Sequence, residues 1–180
     1  MFKSVKFKFS VYDMAFCAIM LALQIVLYLI GAQTEFLKFS MEFVPQSIVA
    51  TLFGIPYSLL VFTLGDILGP ILAGKGWYPP LTLTSAIMGI CFGFFLKDIH
   101  KMSSKTATIR ILAAVFINQF VLSLFLNTFW LSKLIGKAFS VLFISRLTSS
   151  AIDFVIQVVI IFAMYKLKIP NSIEKLEKRK

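Results

Sequence analysis

Long apolar runs, each broken off after about one membrane thickness, leave this chain few ways to fold. A helix needs about 20 apolar residues to cross a bilayer. The runs cover about 13–31, 43–53, 57–73, 81–97, 109–130 and 142–166. The second is short and closes on Gly54-Ile55-Pro56, a turn signal. Apolar side chains make up 59% of the 180 residues and charged ones 14%, a balance foreign to soluble domains. Twenty Phe residues suit a lipid-facing surface better than one buried core. The expected fold is an all-α membrane protein: a single integral domain over 1–180, built as a bundle of six transmembrane helices.

The cations sort themselves along this pattern. Of eighteen Lys and Arg residues, thirteen lie in the N-terminal tail (Lys3, Lys6, Lys8), the central loop (Lys97, Lys101, Lys105, Arg110) and the C-terminal tail (Lys166, Lys168, Lys175, Lys178, Arg179, Lys180). Lys and Arg near helix ends are retained on the cytoplasmic side. Both termini are therefore expected in the cytoplasm, as in a multi-pass protein of the cell membrane. The outer connections then cover about 32–42, 74–80 and 131–141. Five cations, Lys38, Lys75, Lys133, Lys137 and Arg146, disobey the rule on or near that side. The net charge of +10 does not point to nucleic acid, because the basic residues flank apolar runs and form no stripe interleaved with exposed aromatics. They suit contact with the headgroups of the lipid bilayer instead. The N-terminus is basic and then apolar, with no small-residue cleavage site after a short core, so it reads as the lead-in to a retained first helix.

Catalysis needs a nucleophile with its base, paired carboxylates or a metal. Motifs of the HExxH, GxSxG and GxxxxGK[ST] kinds are missing, so the chain is expected to be no enzyme and to bind no ATP itself. Cys17 and Cys91 lie in apolar runs, where a thiol acts as a small hydrophobe, and the single His100 stands among lysines. No metal site and no resident cofactor are expected.

Binding is better served. Charges inside a membrane are expensive and tend to be functional. Asp66 and Asp153 lie within apolar runs, with an internal ion pair or helix-end anchor as the alternative role. Arg146 sits where an orientation signal would not put it, and a guanidinium can grip a carboxylate or phosphate with two parallel hydrogen bonds. Trp77 and Tyr78, in the rigid loop Lys75-Gly76-Trp77-Tyr78-Pro79-Pro80, can anchor at the interface or stack on a flat ring at a cavity mouth. Asn127-Thr128-Phe129-Trp130 adds an amide, a hydroxyl and an indole where the fifth helix emerges. Polar groups beside aromatics suit a planar heterocycle with hydrogen-bonding edges. Ala18-x-x-x-Ala22 and Gly89-x-x-x-Gly93 each place two small residues on one helix face, either for packing within the bundle or for docking another membrane subunit.

With these pieces in order, the chain resembles the substrate-binding S components of energy-coupling factor (ECF) vitamin transporters, most closely the folate-type family. The resemblance rests on Ala18-x-x-x-Ala22, the run Gln33-Thr34-Glu35-Phe36-Leu37-Lys38, Phe43-x-Pro45, Leu52-Phe53-Gly54 and Gly65-Asp66-x-Leu68-Gly69. It continues through Trp77-Tyr78-Pro79 with Thr82-Leu83 to Asn127-Thr128-Phe129-Trp130-Leu131-Ser132, Gly136-Lys137-Ala138 and Arg146. It implies a six-helix protein that captures a small-molecule vitamin, here folate, at the extracellular side. It also implies partners: a transmembrane coupling subunit and two ATPase subunits that hydrolyse the ATP. Ala18 and Ala22 would then dock the coupling subunit, and Arg146, Asn127, Trp130, Lys38, Lys137, Trp77, Tyr78 and Glu42 become candidate substrate contacts. Three positions depart from the pattern. Ser149 stands where a Lys is frequent, Met41-Glu42-Phe43 where Phe-Gly-Phe is usual, and Pro80 where Gly is customary. A cation lost and an anion gained keep cobalamin or another vitamin as the alternative ligand. A small non-catalytic membrane assembly subunit, which needs no ligand cavity, is the alternative of another class.

Overall fold

The computed structural model of the protein describes residues 11–33, 38–39 and 41–167. Among them the chain forms helices α1 (Val11–Ile30), α2 (Phe43–Phe53), α3 (Ile55–Leu72), α4 (Pro79–Leu96), α5 (Ser104–Phe116), α6 (Thr128–Ile135) and α7 (Phe139–Lys166). A π-helical segment, Ile117–Asn127, joins α5 to α6. The three make one continuous rod over Ser104–Ile135, so the bundle has the six helical members expected from the apolar runs. Five of these are long and apolar enough to cross a membrane, and α2 is the short sixth. After α1 the strands β1 (Ala32–Gln33) and β2 (Lys38–Phe39) pair antiparallel, Ala32 opposite Phe39 and Gln33 opposite Lys38.

Two helices start at the prolines that mark turns in the sequence. α3 begins at Ile55 with Pro56 in its first turn, and α4 begins at Pro79 and Pro80. Pro at the first helical positions loses nothing, since those N–H groups have no intrahelical acceptor. The rigid loop expected over 75–80 thus ends at Tyr78. Between α2 and α3 the chain reverses through Gly54 alone, at φ 75°, a conformation open mainly to glycine.

Glycines set the seams. A Cβ on Gly89 would lie 2.9 Å from the Ser58 carbonyl oxygen, and one on Gly93 would strike the Ile55 backbone. α4 therefore touches the backbone of α3, and the Ser58 hydroxyl donates across the seam to the Gly89 carbonyl at 2.8 Å. Of the two roles open to Gly89-x-x-x-Gly93, packing within the bundle is the one used. On the other side of α3, Gly65 and Gly69 admit Gln24 and Tyr28 of α1. Gln24 and Tyr28 are buried with Cys17, while Ala18 and Ala22 on the same helix are exposed.

The apolar core gathers Phe43 and Ala50 of α2, Phe62 of α3, Phe92 and Leu96 of α4, Ile111 and Val115 of α5, and Ile161 of α7. Phe62 and Phe92 meet edge to face at 5.5 Å, a favoured arrangement for aromatic pairs. This plug fills the half of the bundle towards the 97–103 connection. The half towards the 31–42, 73–78 and 136–138 connections is packed differently.

Candidate functional site: a polar cavity in an apolar bundle

In that second half the helices line a partly open cavity of about 100 Å³. α7 contributes Arg146, Ser149, Ser150, Asp153 and Gln157. Their spacing of three, four, seven and eleven residues from Arg146 is the stripe of one helix face. A polar stripe of this length inside an apolar helix is a site signal readable from sequence, and the isolated charges Arg146 and Asp153 are part of it. Gln24 comes from α1, Glu42 and Gln46 from the start of α2, Asp66 from α3 and Ser85 from α4, with Phe43, Phe62, Met88 and Phe92 as apolar wall.

The rod between α5 and α6 contributes Asn118, Gln119, Ser123 and Asn127. Here winding decides the site. In an α-helix, at about 100° per residue, Asn118 and Asn127 would point to opposite faces, about 180° apart. The i→i+5 winding of Ile117–Asn127 has about 4.4 residues per turn. All four polar side chains then fall within about 80° of one another, on the cavity side. A π-wound stretch is rare and common at functional sites, and this one brings Asn118 round to join Gln119, Ser123 and Asn127, which share a face at either winding.

Several lining groups lack partners among the described residues. Both amide atoms of Asn118, Oε1 of Gln24 and Oδ1 of Asn127 are buried with no hydrogen bond. Asn118 is 5% exposed and Gln24 1%. A buried polar atom left unsatisfied costs about 1–3 kcal/mol, so a bundle arranged for stability alone would not gather four such atoms around one space. Other polar lining is held in place: Arg146, 8% exposed, donates from Nη1 to Thr128 Oγ1 at 3.2 Å, and Gln157 donates to Gln119 at 3.3 Å. Asp66 accepts from the Thr82 hydroxyl at 2.8 Å.

The candidates from sequence divide accordingly. Arg146, Asn127 and Glu42 line the cavity together. Trp130 does not line the cavity, and its indole N–H is buried and unpartnered among the described residues. Trp77 is half exposed on the 73–78 connection and donates to Thr82 Oγ1 at 2.7 Å; Tyr78 caps the start of α4. Lys137 is exposed beside Gly136, at the entry to α7. The Lys38 backbone pairs in β2, and its side chain lies outside the described residues, as do residues 34–37. Gln24, Gln46, Asn118, Gln119, Ser123 and Gln157 were not among the candidates. Each is an amide or hydroxyl inside an apolar run, the signal that marks them in retrospect.

Chemically, the cavity presents amide groups that both donate and accept, carboxylates that accept and one guanidinium that donates. Aromatic walls add flat apolar surface. That composition suits a nitrogen heterocycle whose edge alternates donors and acceptors. No group of three or more metal-binding side chains occurs among the described residues. A ligand cavity of this kind also goes beyond what an assembly subunit requires.

Known proteins match this architecture. Residues 8–168 fit the sequence profile of the ECF-type riboflavin transporter S component. The folate transporter FolT of Clostridium novyi (strain NT) is 33% identical over 171 residues, which cover 92% of this chain and 96% of that protein. A crystal structure of FolT bound with folic acid superposes with a TM-score of 0.78 at 24% identity, covering 87% of this chain and 94% of that one. At that identity the structural match speaks for the fold.

Proposed function

The chain belongs to the S components of ECF-type transporters, multi-pass membrane proteins, and on that premise we propose that it captures folate in the polar cavity and delivers it inward. The observation that carries this reading is the ring of unpartnered amides, Asn118, Gln24 and Asn127, set beside Arg146 between the phenylalanine walls. A pterin edge carries alternating N–H donors and N and O acceptors, which Asn and Gln side chains can pair. Arg146 offers its remaining N–H groups to an anionic or carbonyl oxygen of the ligand. A relative named for folate at 33% identity supports the same choice.

Both termini are proposed to lie in the cytoplasm, which turns the cavity end of the bundle outward. Lys38 and Lys137, on connections at that end, are the cations proposed to meet the glutamate carboxylates. At about 100 Å³ the space is smaller than a benzene-sized cavity of about 150 Å³, so a bicyclic ring would either project through its open side or part its walls. The chain's role is binding and delivery without catalysis. A transmembrane coupling subunit, docked on Ala18 and Ala22, and two ATPase subunits that hydrolyse ATP complete the transporter.

The test is calorimetric titration of the purified protein with folic acid, riboflavin and cobalamin. The expected result is nanomolar affinity for folic acid, weakened at least about tenfold by Arg146→Ala, or about 1.4 kcal/mol. Tight binding of riboflavin or cobalamin with none of folic acid would overturn the folate assignment and leave the family in place.

A further inference from the structure

Asp66 is the cavity carboxylate whose surroundings fix its direction. Its Oδ2 accepts from the Thr82 hydroxyl at 2.8 Å, and the Trp77 indole N–H donates to the same Thr82 oxygen at 2.7 Å. An indole nitrogen only donates, and a hydroxyl has a single proton. Thr82 accepts from Trp77 and gives its single proton to Asp66, so the chain Trp77–Thr82–Asp66 ends on a carboxylate oxygen that accepts.

The three residues come from two rigid elements and the connection between them. Asp66 is on α3 and Thr82 on α4, whose seam is locked by Gly89 and Gly93. Thr82 is buried but does not line the cavity, whereas Asp66 does. With Oδ2 occupied from behind, Oδ1 is the oxygen left for a guest, and it has no hydrogen bond among the described residues. Trp77, half exposed, ties the outer connection to this arrangement. Hydrogen bonds in series polarise one another, so a guest that donates to Asp66 changes the environment of the Trp77 indole two bonds away.

Building on the reading of the cavity as a heterocycle site, we infer that Thr82 is a positioning residue, held by Trp77, that makes Asp66 a directional acceptor for a ring N–H of the ligand. Asp66 then selects for rings with a donor at that edge. Trp77 acts as a sensor of occupancy and makes no direct contact with the ring.

The experiment compares Thr82→Val, which keeps shape and loses the hydroxyl, with Thr82→Ser, which keeps the hydroxyl. Folic acid is titrated calorimetrically, with thermal unfolding of each variant alongside. Thr82→Val is expected to weaken binding about tenfold, and Thr82→Ser to stay within about threefold of the parent. Asp66→Asn combined with Thr82→Val should bind no worse than Asp66→Asn alone, because the hydroxyl acts through the carboxylate. Full affinity in a folded Thr82→Val variant, or additive losses in the double variant, overturns the inference. A readout independent of that variant uses Trp130→Phe, which leaves Trp77 as the one tryptophan: its emission should shift on folic acid titration and lose the shift in Asp66→Asn. Emission that never responds while heat is evolved overturns the relay and leaves the folate assignment standing. If the unaltered protein takes riboflavin in place of folic acid, the same arms are read with riboflavin; if it takes neither, the heterocycle reading and this inference fall together.

Discussion

Gly89 with Gly93 on α4 and Ala18 with Ala22 on α1 follow one pattern, two small residues a single helical turn apart, yet the bundle treats them in opposite ways. The glycines are buried against the backbone of α3, at separations that leave no room for a Cβ. The alanines are exposed, while the opposite side of their helix buries Cys17, Gln24 and Tyr28. A third pair, Gly65 and Gly69 on α3, lies between these extremes: it yields room to two side chains, Gln24 and Tyr28. In lipid, apolar burial does not drive helices together, and small residues count because they allow close approach. The spacing states that something comes close. Whether it is a backbone, a side chain or another protein depends on what stands opposite.

The comparison can be broken by enlarging each pair and following the stability of the isolated chain. Gly93→Leu is expected to do most damage. Even its first carbon would meet the Ile55 backbone, which cannot rotate away as a side chain can. Overpacking costs about 1–3 kcal/mol where side chains can yield, so a loss of at least about 3 kcal/mol is expected here. Thermal unfolding in detergent should show it, or failure to recover monodisperse protein. A Gly93→Leu variant as stable as the parent would mean that the seam is looser than its geometry states.

The cavity lining makes the opposite contrast with the seam. Asn118→Leu replaces two unpartnered buried amide atoms by apolar surface of similar size. Such an exchange removes a standing cost of about 1–3 kcal/mol, so the ligand-free protein should unfold about 1 kcal/mol later while folic acid affinity falls at least about tenfold. Stability and affinity falling together would place Asn118 among structural groups instead. Gly65→Ala is expected to act between these limits. Its Cβ would displace the Gln24 amide, the far end of a flexible side chain, so unfolding should shift by less than about 1 kcal/mol. Gln24 lines the cavity, so calorimetry should find the larger change, about tenfold in folic acid affinity.

Sequence reasoning saw the helices well and the site unevenly, for physical reasons. Six apolar runs are visible because a membrane demands them, and Arg146 stands out as a cation against the sorting rule. Asn118 escapes because sequence periodicity is read at the α-helical period, whereas Gln119, four and eight residues before Ser123 and Asn127, lies on a stripe legible at that period. At that period Asn118 is turned away from Asn127, and the π winding of Ile117–Asn127 is what joins them. Gln24 escapes for another reason: a lone amide in an apolar helix says nothing of direction until Gly65 is seen to receive it. Lys137 and Trp77 attract notice by residue type, and neither is among the residues that line the cavity. The small-residue pairs are legible as spacing and illegible as partners, since the partner is a matter of tertiary arrangement.

The exposed alanines give the smallest effect on the chain and the sharpest test of the comparison. Ala18→Leu with Ala22→Leu adds apolar bulk to a face that no described element covers. Lipid tails are as apolar as leucine, and Ala and Leu are close in helix propensity, so unfolding should move by no more than about 0.5 kcal/mol. Folic acid binding by the purified chain should match the parent, because Gln24 is on the opposite side of α1. What the substitution removes is close approach by a neighbouring helix, since leucine side chains hold two helices apart and forfeit the dispersion contacts of a small-residue face. Co-purification with the coupling subunit and uptake of labelled folic acid by cells should therefore both fail while binding persists. Intact uptake would reduce the pair to lipid-facing surface. Lost binding would make it part of the bundle's own packing, and the contrast with Gly89 and Gly93 would no longer hold.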